Sequence, residues 1–345
     1  MKTRANSNVI ASERIGAKAF MMDQRMILLM VILALVIMTG VINSNFFSVN
    51  NVISIFQQIA VGGILTMAMG MLLLSGGLDL AIGNIMALAG CTISMLLTGG
   101  SLSSGAMDDT MTTGDLLTSI PVAILVGMAV STGAGALNGL IVSKTKCVPL
   151  IITLGMSSAY YGISLLMTGG KYLSFRMAFE PLRIAKVGAV VPVTMFIFIA
   201  LVIFTWFLIN RTKYGRRIVA IGGNEENARL SGIKVDKYKI ITYAISGAYC
   251  GLASILLASR IDSITAAGGQ GYELDALTGA IIGGITFAGG KGTISGAFLG
   301  VLFMGVLANS MNILGVNSYI QIMIKGLIVV AAVSISNIEN IRKAP

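Results

Sequence analysis

The sequence predicts an all-α membrane protein of about ten transmembrane helices, in a single domain spanning residues 1–345. Three observations carry that expectation. Only 11% of the residues are charged and 55% are hydrophobic, whereas a water-soluble domain of this size carries about 25% charged residues. Apolar stretches of roughly 20 residues recur along the chain, each long enough to cross about 30 Å of hydrocarbon. Lysine and arginine concentrate in alternate connecting segments, the pattern of loops that stay on the cytoplasmic side. The net charge of +10 is therefore read as a topological signal, with lipid as the surrounding partner and no nucleic acid.

Taken in order, Met1 to Arg25 is a basic tail, expected inside. The first apolar run, Met26 to Ile42, ends without a small-residue cleavage site and is read as a retained span. Span two covers about Val52 to Leu74. Ser75 to Gly83 is a glycine-rich break that contains Asp79, and span three follows to Leu97. Gly99 to Ser119 is acidic, with Asp108, Asp109 and Asp115, and is expected outside. Span four, Ile120 to Val142, ends at Lys144 and Lys146. Span five starts at Pro149 and runs to about Met167. Gly169 to Val191 is a mixed loop, expected outside even though it holds Lys171, Arg176, Arg183 and Lys186. Span six covers Pro192 to Ile209.

Arg211 to Lys239 is the longest polar segment and holds eight of the 24 Lys and Arg residues. It is expected inside. Gly222-Gly223-Asn224 reads as a turn with Asn224 as helix cap, and Glu225 and Glu226 face the positive end of the helix dipole. Glu225 and Arg229 are four apart and pair on one face. Ser231 lies near the far end, and Gly232 sits where a C-terminal cap belongs. A short helix over Asn224 to Ile233 follows. Span seven is expected at Ile240 to Ala258, a polar stretch at Arg260 to Asp275, and span eight at Ala276 to Ala288. Spans nine (Thr293 to Ala308) and ten (Val316 to Ser334) complete the count. Ten is even, so both termini share the cytoplasmic side.

Spans two to five and seven to ten rhyme with opposite starting sides. The Leu78-Asp79 break and Gly83 correspond to Glu273-Leu274-Asp275 and Gly279, and Asn138 corresponds to Asn309. That is the pattern of an inverted repeat with broken helices, common in transporters. Asp79 is read either as a pathway or gating group or as a cap on span three. Lys325 lies mid-span, where an unpaired ammonium costs about 2.5–3.5 kcal/mol. Its partner is expected among Asp275, Glu273 and Asp79. Glycines four apart, Gly135/Gly139, Gly247/Gly251, Gly279/Gly283 and Gly296/Gly300, favour close helix packing.

The chain has no histidine, which removes the commonest general base and metal ligand. Cys91, Cys147 and Cys250 have no paired spacing. No catalytic, cofactor or metal site is expected. Gly289-Gly290-Lys291-Gly292-Thr293 lacks the residue order of a phosphate loop.

Four stretches carry a resemblance: FFSVNNVISIFQQ at Phe46 to Gln58, GGLDLAIGNIMALAG at Gly76 to Gly90, AIGGNEENARLSGIKVDKYKIITYAISG at Ala220 to Gly247, and GYELDALTGAIIGGITFAGGKGTISGAFLG at Gly271 to Gly300. Through them nearly the whole chain resembles the permease subunits of ribose-type sugar ABC importers. It departs from the family pattern at Leu78, Ala81 and Ile82, where Ile, Ser and Val are usual. The resemblance implies a vitamin-B12-permease-like fold in the bacterial inner membrane and a second permease copy or paralogue. It also implies a cytoplasmic ATP-binding subunit that uses ATP and magnesium, and an external binding protein that delivers a monosaccharide. Gly223, Asn224, Glu225, Arg229, Ser231 and Gly232 would then couple to the ATPase. Asp79, Glu273, Asp275, Asn309 and Lys325 are the candidates for the pathway or its gating. An ion-coupled secondary transporter is the rival reading.

Overall fold

The computed structural model describes residues 25–98, 113–187 and 191–342. The tail Met1 to Gln24, most of the acidic loop after Gly99, and Lys343 lie outside them. Among the described residues there are thirteen α-helices: α1 (Arg25–Ile42), α2 (Val49–Leu74), α3 (Ile82–Leu97), α4 (Thr113–Thr145), α5 (Pro149–Thr168), α6 (Glu180–Ile184), α7 (Val193–Arg211), α8 (Lys213–Gly223), α9 (Glu225–Leu230), α10 (Val235–Ile261), α11 (Tyr272–Ile282), α12 (Ile294–Ile313) and α13 (Ser318–Arg342). Seven of these, α1, α2, α4, α5, α7, α10 and α12, are long and apolar enough to cross a membrane. The helix α3 and the segment Ser318–Ser334 are shorter apolar helices, and α11 has only 11 residues.

Three expectations are corrected. The helix α4 starts at Thr113, inside the segment expected to be a loop up to Ser119. Span eight, expected at Ala276 to Ala288, is a helix from Tyr272 to Ile282. Glu273 and Asp275 therefore sit in its first turn, where acidic groups complement the helix dipole, and they were no reason to delay its start. The basic loop holds two helices, because Lys213–Gly223 is helical as well. Thr212 caps α8, its Oγ1 accepting from Gly215 N at 3.2 Å. Gly222 and Gly223 are the last residues of α8, and the chain turns at Asn224.

The core is built on α2, α10 and α12, most of whose residues are buried, while α1 and α5 stay largely exposed. The glycine stripes explain how such long helices approach one another. A Cβ at Gly135 on α4 would meet Gly247 Cα at 2.9 Å, and one at Gly139 would meet Ile240 Cα at 2.9 Å on α10. The second pair of stripes joins α11 to α12: a Cβ at Gly283 would meet Ala297 Cα at 2.5 Å, and one at Gly300 would meet Gly283 N at 3.0 Å. Lipid offers no hydrophobic driving force between helices, so this close packing is a main source of cohesion. Gly247→Leu is expected to cost at least about 1–3 kcal/mol by overpacking, seen as a lower melting temperature and folded yield in detergent. Gly155→Leu, on the exposed face of α5 where an added Cβ meets nothing within 4 Å, should stay near the parent.

Two ends of the bundle are distinguishable. Arg25, the 75–81 break, α8, α9 and the 283–293 turn gather at one end, where Arg25 Nη2 donates to Thr293 Oγ1 at 2.9 Å. At the other end Asn43 Nδ2 donates to Ile313 O at 3.1 Å. There β1 (Leu173–Ser174) pairs antiparallel with β4 (Ser263–Ile264), and β2 (Lys186–Val187) with β3 (Val191–Pro192). The loop with Lys171, Arg176, Arg183 and Lys186 is thus held at the end opposite the basic loop. Asp262 anchors it, accepting from Met177 N at 3.0 Å.

Candidate functional site

The break after α2 is a buried polar node. Tyr243 of α10 donates its hydroxyl proton to Leu78 O at 2.9 Å, and Leu78 N donates back to that hydroxyl at 3.3 Å. Asp79 is fully buried. Its Oδ1 accepts from Ala81 N at 2.8 Å at the start of α3. Asn138 Nδ2 of α4 lies 3.2 and 3.1 Å from the two carboxylate oxygens. Tyr160 of α5 completes the set, its hydroxyl 2.9 Å from both Asn138 Oδ1 and Ala134 O. These contacts are those of a cap and a cross-brace between three helices, and protein groups enclose the carboxylate.

The repeat partners of these residues behave differently. Asp275 on α11 pairs with Lys325 on α13, Nζ to Oδ2 at 2.6 Å. Of the three candidate carboxylates, then, Asp275 is the partner. Glu273 folds back on its own helix start, accepting from Gly271 N at 3.1 Å. Asn309 makes a reciprocal amide pair with Asn51 on α2, at 2.9 and 3.1 Å. Asp79 and Asn138 therefore bond to each other, whereas Asp275 and Asn309 go to separate partners.

In the basic loop the local expectations hold. Asn224 Oδ1 accepts from Asn227 N at 2.8 Å and opens α9. Ser231 Oγ donates to Asn227 O at 2.8 Å, and Gly232 closes the helix at φ +80°. Arg229 pairs with Glu225 at 3.1 Å. Packing adds two contacts that spacing did not show: Lys239 Nζ reaches Glu225 Oε2 at 2.5 Å and Arg229 reaches Asp236 at 3.5 Å. Partial burial would raise the Glu225 carboxyl, but Lys239 and Arg229 outweigh it and hold the group below the usual carboxylate range. Ile221, Ala228 and Val235 are buried beneath α9. Leu230 is the opposite, an apolar side chain 81% exposed at the tip of a charged helix.

Sequence reasoning missed two features here. The first is α8, whose Tyr214, Ile218 and Ile221 at i, i+4 and i+7 were the available signal. The second is a junction of glycines. A Cβ on Gly222 would collide with Leu74 O, and would also meet Gly290 N at 2.7 Å and Gly76 N at 2.9 Å. One on Gly223 would meet nothing within 4 Å. Gly76 (φ +71°), Gly289 (φ +90°) and Gly290 (φ +68°) take the left-handed backbone that glycine tolerates. Gly290 N donates to Leu74 O at 3.3 Å. The end of α8 thus touches, backbone to backbone, the break after α2 and the turn between α11 and α12.

Comparison with known proteins fits this architecture. A family model described as the branched-chain amino acid transport system / permease component matches residues 51–333. The chain is 32% identical to the ribose import permease protein RbsC of Escherichia coli (strain K12), over 96% of this chain and 98% of that one. It is 32% identical to the protein of the same name from Bacillus subtilis (strain 168), over 87% and 88%. It is 33% identical to the D-allose transport system permease protein AlsC of Escherichia coli (strain K12), over 85% of each. No solved structure matches the chain. A helical membrane protein matched over most of its length by such relatives belongs to the branched-chain amino acid transport system / permease component family, among the ribose-type sugar permeases of ABC transporters.

Proposed function

We propose that this chain is the membrane subunit of an ATP-driven importer that carries a monosaccharide delivered by an external binding protein. The observation that carries the reading is similarity over 85–96% of the chain to permeases named for ribose, D-allose, galactose and L-arabinose. In this reading ten helices cross the inner membrane in a vitamin-B12-permease-like arrangement, and both termini and the Arg211 to Lys239 loop face the cytoplasm. A second permease, identical or paralogous, completes the path. ATP and magnesium are used by a separate cytoplasmic subunit, and this chain hydrolyses nothing.

The helix α9 is the contact with that subunit, through Gly223, Asn224, Glu225, Arg229, Ser231 and Gly232, and Leu230 is its apolar anchor. An exposed leucine on a capped, ion-paired helix has the form of a binding hot spot, an anchor ringed by polar groups. Glu225 and Arg229 already satisfy each other, so they shape α9 and set its charge. Asp275 and Lys325 belong to the pathway. Asp79 and Glu273 hold the starts of the short helices α3 and α11 that border it, and Asn309 ties α12 to α2.

Leu230→Asp is expected to lower sugar uptake at least tenfold and to loosen co-purification with the ATP-binding subunit, with the permease still folded. The measurement is uptake in proteoliposomes holding permease, ATPase and binding protein. Uptake that proceeds from the permease alone under an ion gradient would replace the ATP-driven reading with secondary transport.

A further inference from the structure

We propose that an open groove between α7 and α12 holds one anionic phospholipid, with an acyl chain in the groove and the phosphate at Arg211. The inference goes beyond the transport function proposed above and requires only that the chain lie in a membrane. The groove has a volume of about 300 Å³ and is walled by Ile199, Ile203 and Trp206 of α7 and by Ile294, Ser295 and Phe298 of α12. Phe298 stacks on the fully buried Phe198, with ring centroids 5.9 Å apart. Ile203 is 60% exposed and Trp206 41%, so the groove opens sideways, where lipid lies. Its walls are hydrocarbon and aromatic carbon with one hydroxyl, that of Ser295, which suits an acyl chain.

The register of the two helices places the headgroup. They run antiparallel, because α7 ends and α12 begins at the Arg25 end of the bundle. The Phe198–Phe298 stack sets those two residues at one level. From there α7 continues to Arg211, about 20 Å further at 1.5 Å per residue, whereas α12 reaches its first residue, Ile294, after only about 6 Å. The last turns of α7 therefore project past the start of α12 and make a step at the mouth of the groove. Trp206 and Arg211 stand on the projecting part, and the Arg211 guanidinium lies 5.6 Å from the centroid of the Trp206 ring. Tryptophan is enriched at the membrane interface, where its ring meets chains and headgroups together. An arginine beside it can bind a phosphate through two parallel hydrogen bonds.

Charge around the step selects an anion. Among the described residues Arg211 makes no ion pair, and Lys213 follows it, exposed. From Val193 to Asn224 and from Ile285 to Ile313 the sequence holds no carboxylate. Nothing on α7, α8 or α12 therefore neutralises these cations. A zwitterionic lipid would bring a cation of its own into the same space, whereas an anionic lipid brings only the missing charge. The same count disfavours a second copy of this chain as the occupant. A two-fold contact through the groove would set Arg211 and Lys213 against the same carboxylate-free surface.

The test uses the full-length permease, purified in neutral detergent and titrated with phosphatidylglycerol or with phosphatidylcholine of identical chains. Native mass spectrometry counts the lipids retained, and thermal unfolding reads their effect on the folded state, which a ligand of that state alone must stabilise. Phosphatidylglycerol is expected to be retained at one molecule per chain and to raise the melting temperature more than phosphatidylcholine does. Arg211→Gln should reduce that preference about fivefold, the share of one cation near an anionic headgroup. Lys144→Gln removes an exposed cation from the same end of the bundle, on α4, and should leave the preference unchanged. Ser295→Phe fills the groove from an exposed position and should abolish retention of the lipid, while the lipid-free protein melts like the parent. If Ser295→Phe does not fold, Ile203→Ser decides, and it should weaken both lipids. Equal retention of the two lipids by the parent, or an equal loss of preference in Arg211→Gln and Lys144→Gln, would overturn the site. So would a lipid-free dimer that Ser295→Phe splits, which would give the groove to a second copy.

Discussion

Gly222→Ala is expected to disconnect ATP hydrolysis from transport. One methyl on Gly222 has no free direction, because Leu74 O, Gly290 N and Gly76 N already occupy its space. Backbone atoms cannot rotate away as a side chain does, so α8 must back out of the junction. Overpacking of this kind costs about 1–3 kcal/mol. In the proposed function α9 meets the ATP-binding subunit, and this junction joins α8, the helix before it, to the break before α3 and the turn after α11. Uptake should fall at least tenfold, and stimulation of the ATPase by the loaded binding protein should disappear. The subunits should still co-purify, because Leu230 and the capped helix α9 are untouched. Gly133→Ala is the control: it adds the same methyl on α4, outside the proposed contact with the ATP-binding subunit, where nothing lies within 4 Å, and should transport within about twofold of the parent. Normal coupling in Gly222→Ala would show that the junction only packs the chain.

Lys325→Met should be the most destabilising change in the pathway. It removes the ammonium 2.6 Å from Asp275 and leaves a carboxylate at membrane depth without its counter-charge. Breaking a buried pair on one side costs about 3–5 kcal/mol. With the side chains 28% and 25% exposed, the lower part of that range is expected. Thermal unfolding in detergent should show a clearly lower midpoint. Adding Asp275→Leu should recover most of it, since replacing both partners by apolar groups is often neutral. The double variant should remain poor in uptake, because both residues belong to the proposed pathway. A single variant that melts like the parent would mean that the pair contributes nothing to the fold.

The two predictions differ in how far the sequence leads to them. Lys325 stood out because a charge in the middle of an apolar run is costly wherever the run packs. Three carboxylates competed for it, and only the placement of α11 beside α13 selected Asp275. Gly222 looked like part of a turn. Its significance depends on Gly76 and Gly290, which lie 146 residues before it and 68 residues after it, and no local pattern carries that information. The inverted-repeat correspondence was similarly incomplete. It aligned Asp79 with Asp275 and Asn138 with Asn309, but the first and third bond to each other while the other two take unrelated partners.

By itself the sequence determined the membrane character, most helix boundaries, the Asn224-capped short helix expected over Asn224 to Ile233, the Glu225–Arg229 pair and the small-residue stripes. All of these follow from interactions within one or two helical turns, where spacing alone brings groups together. Tertiary structure decided which stripe faces which, that Asp275 is the partner of Lys325, that Leu230 is left bare while Ile221, Ala228 and Val235 are covered, and that three backbone segments meet at Gly222. Those outcomes need segments distant in the chain to be packed against one another. The distance between such segments is set by the whole bundle and by no stretch of sequence within it.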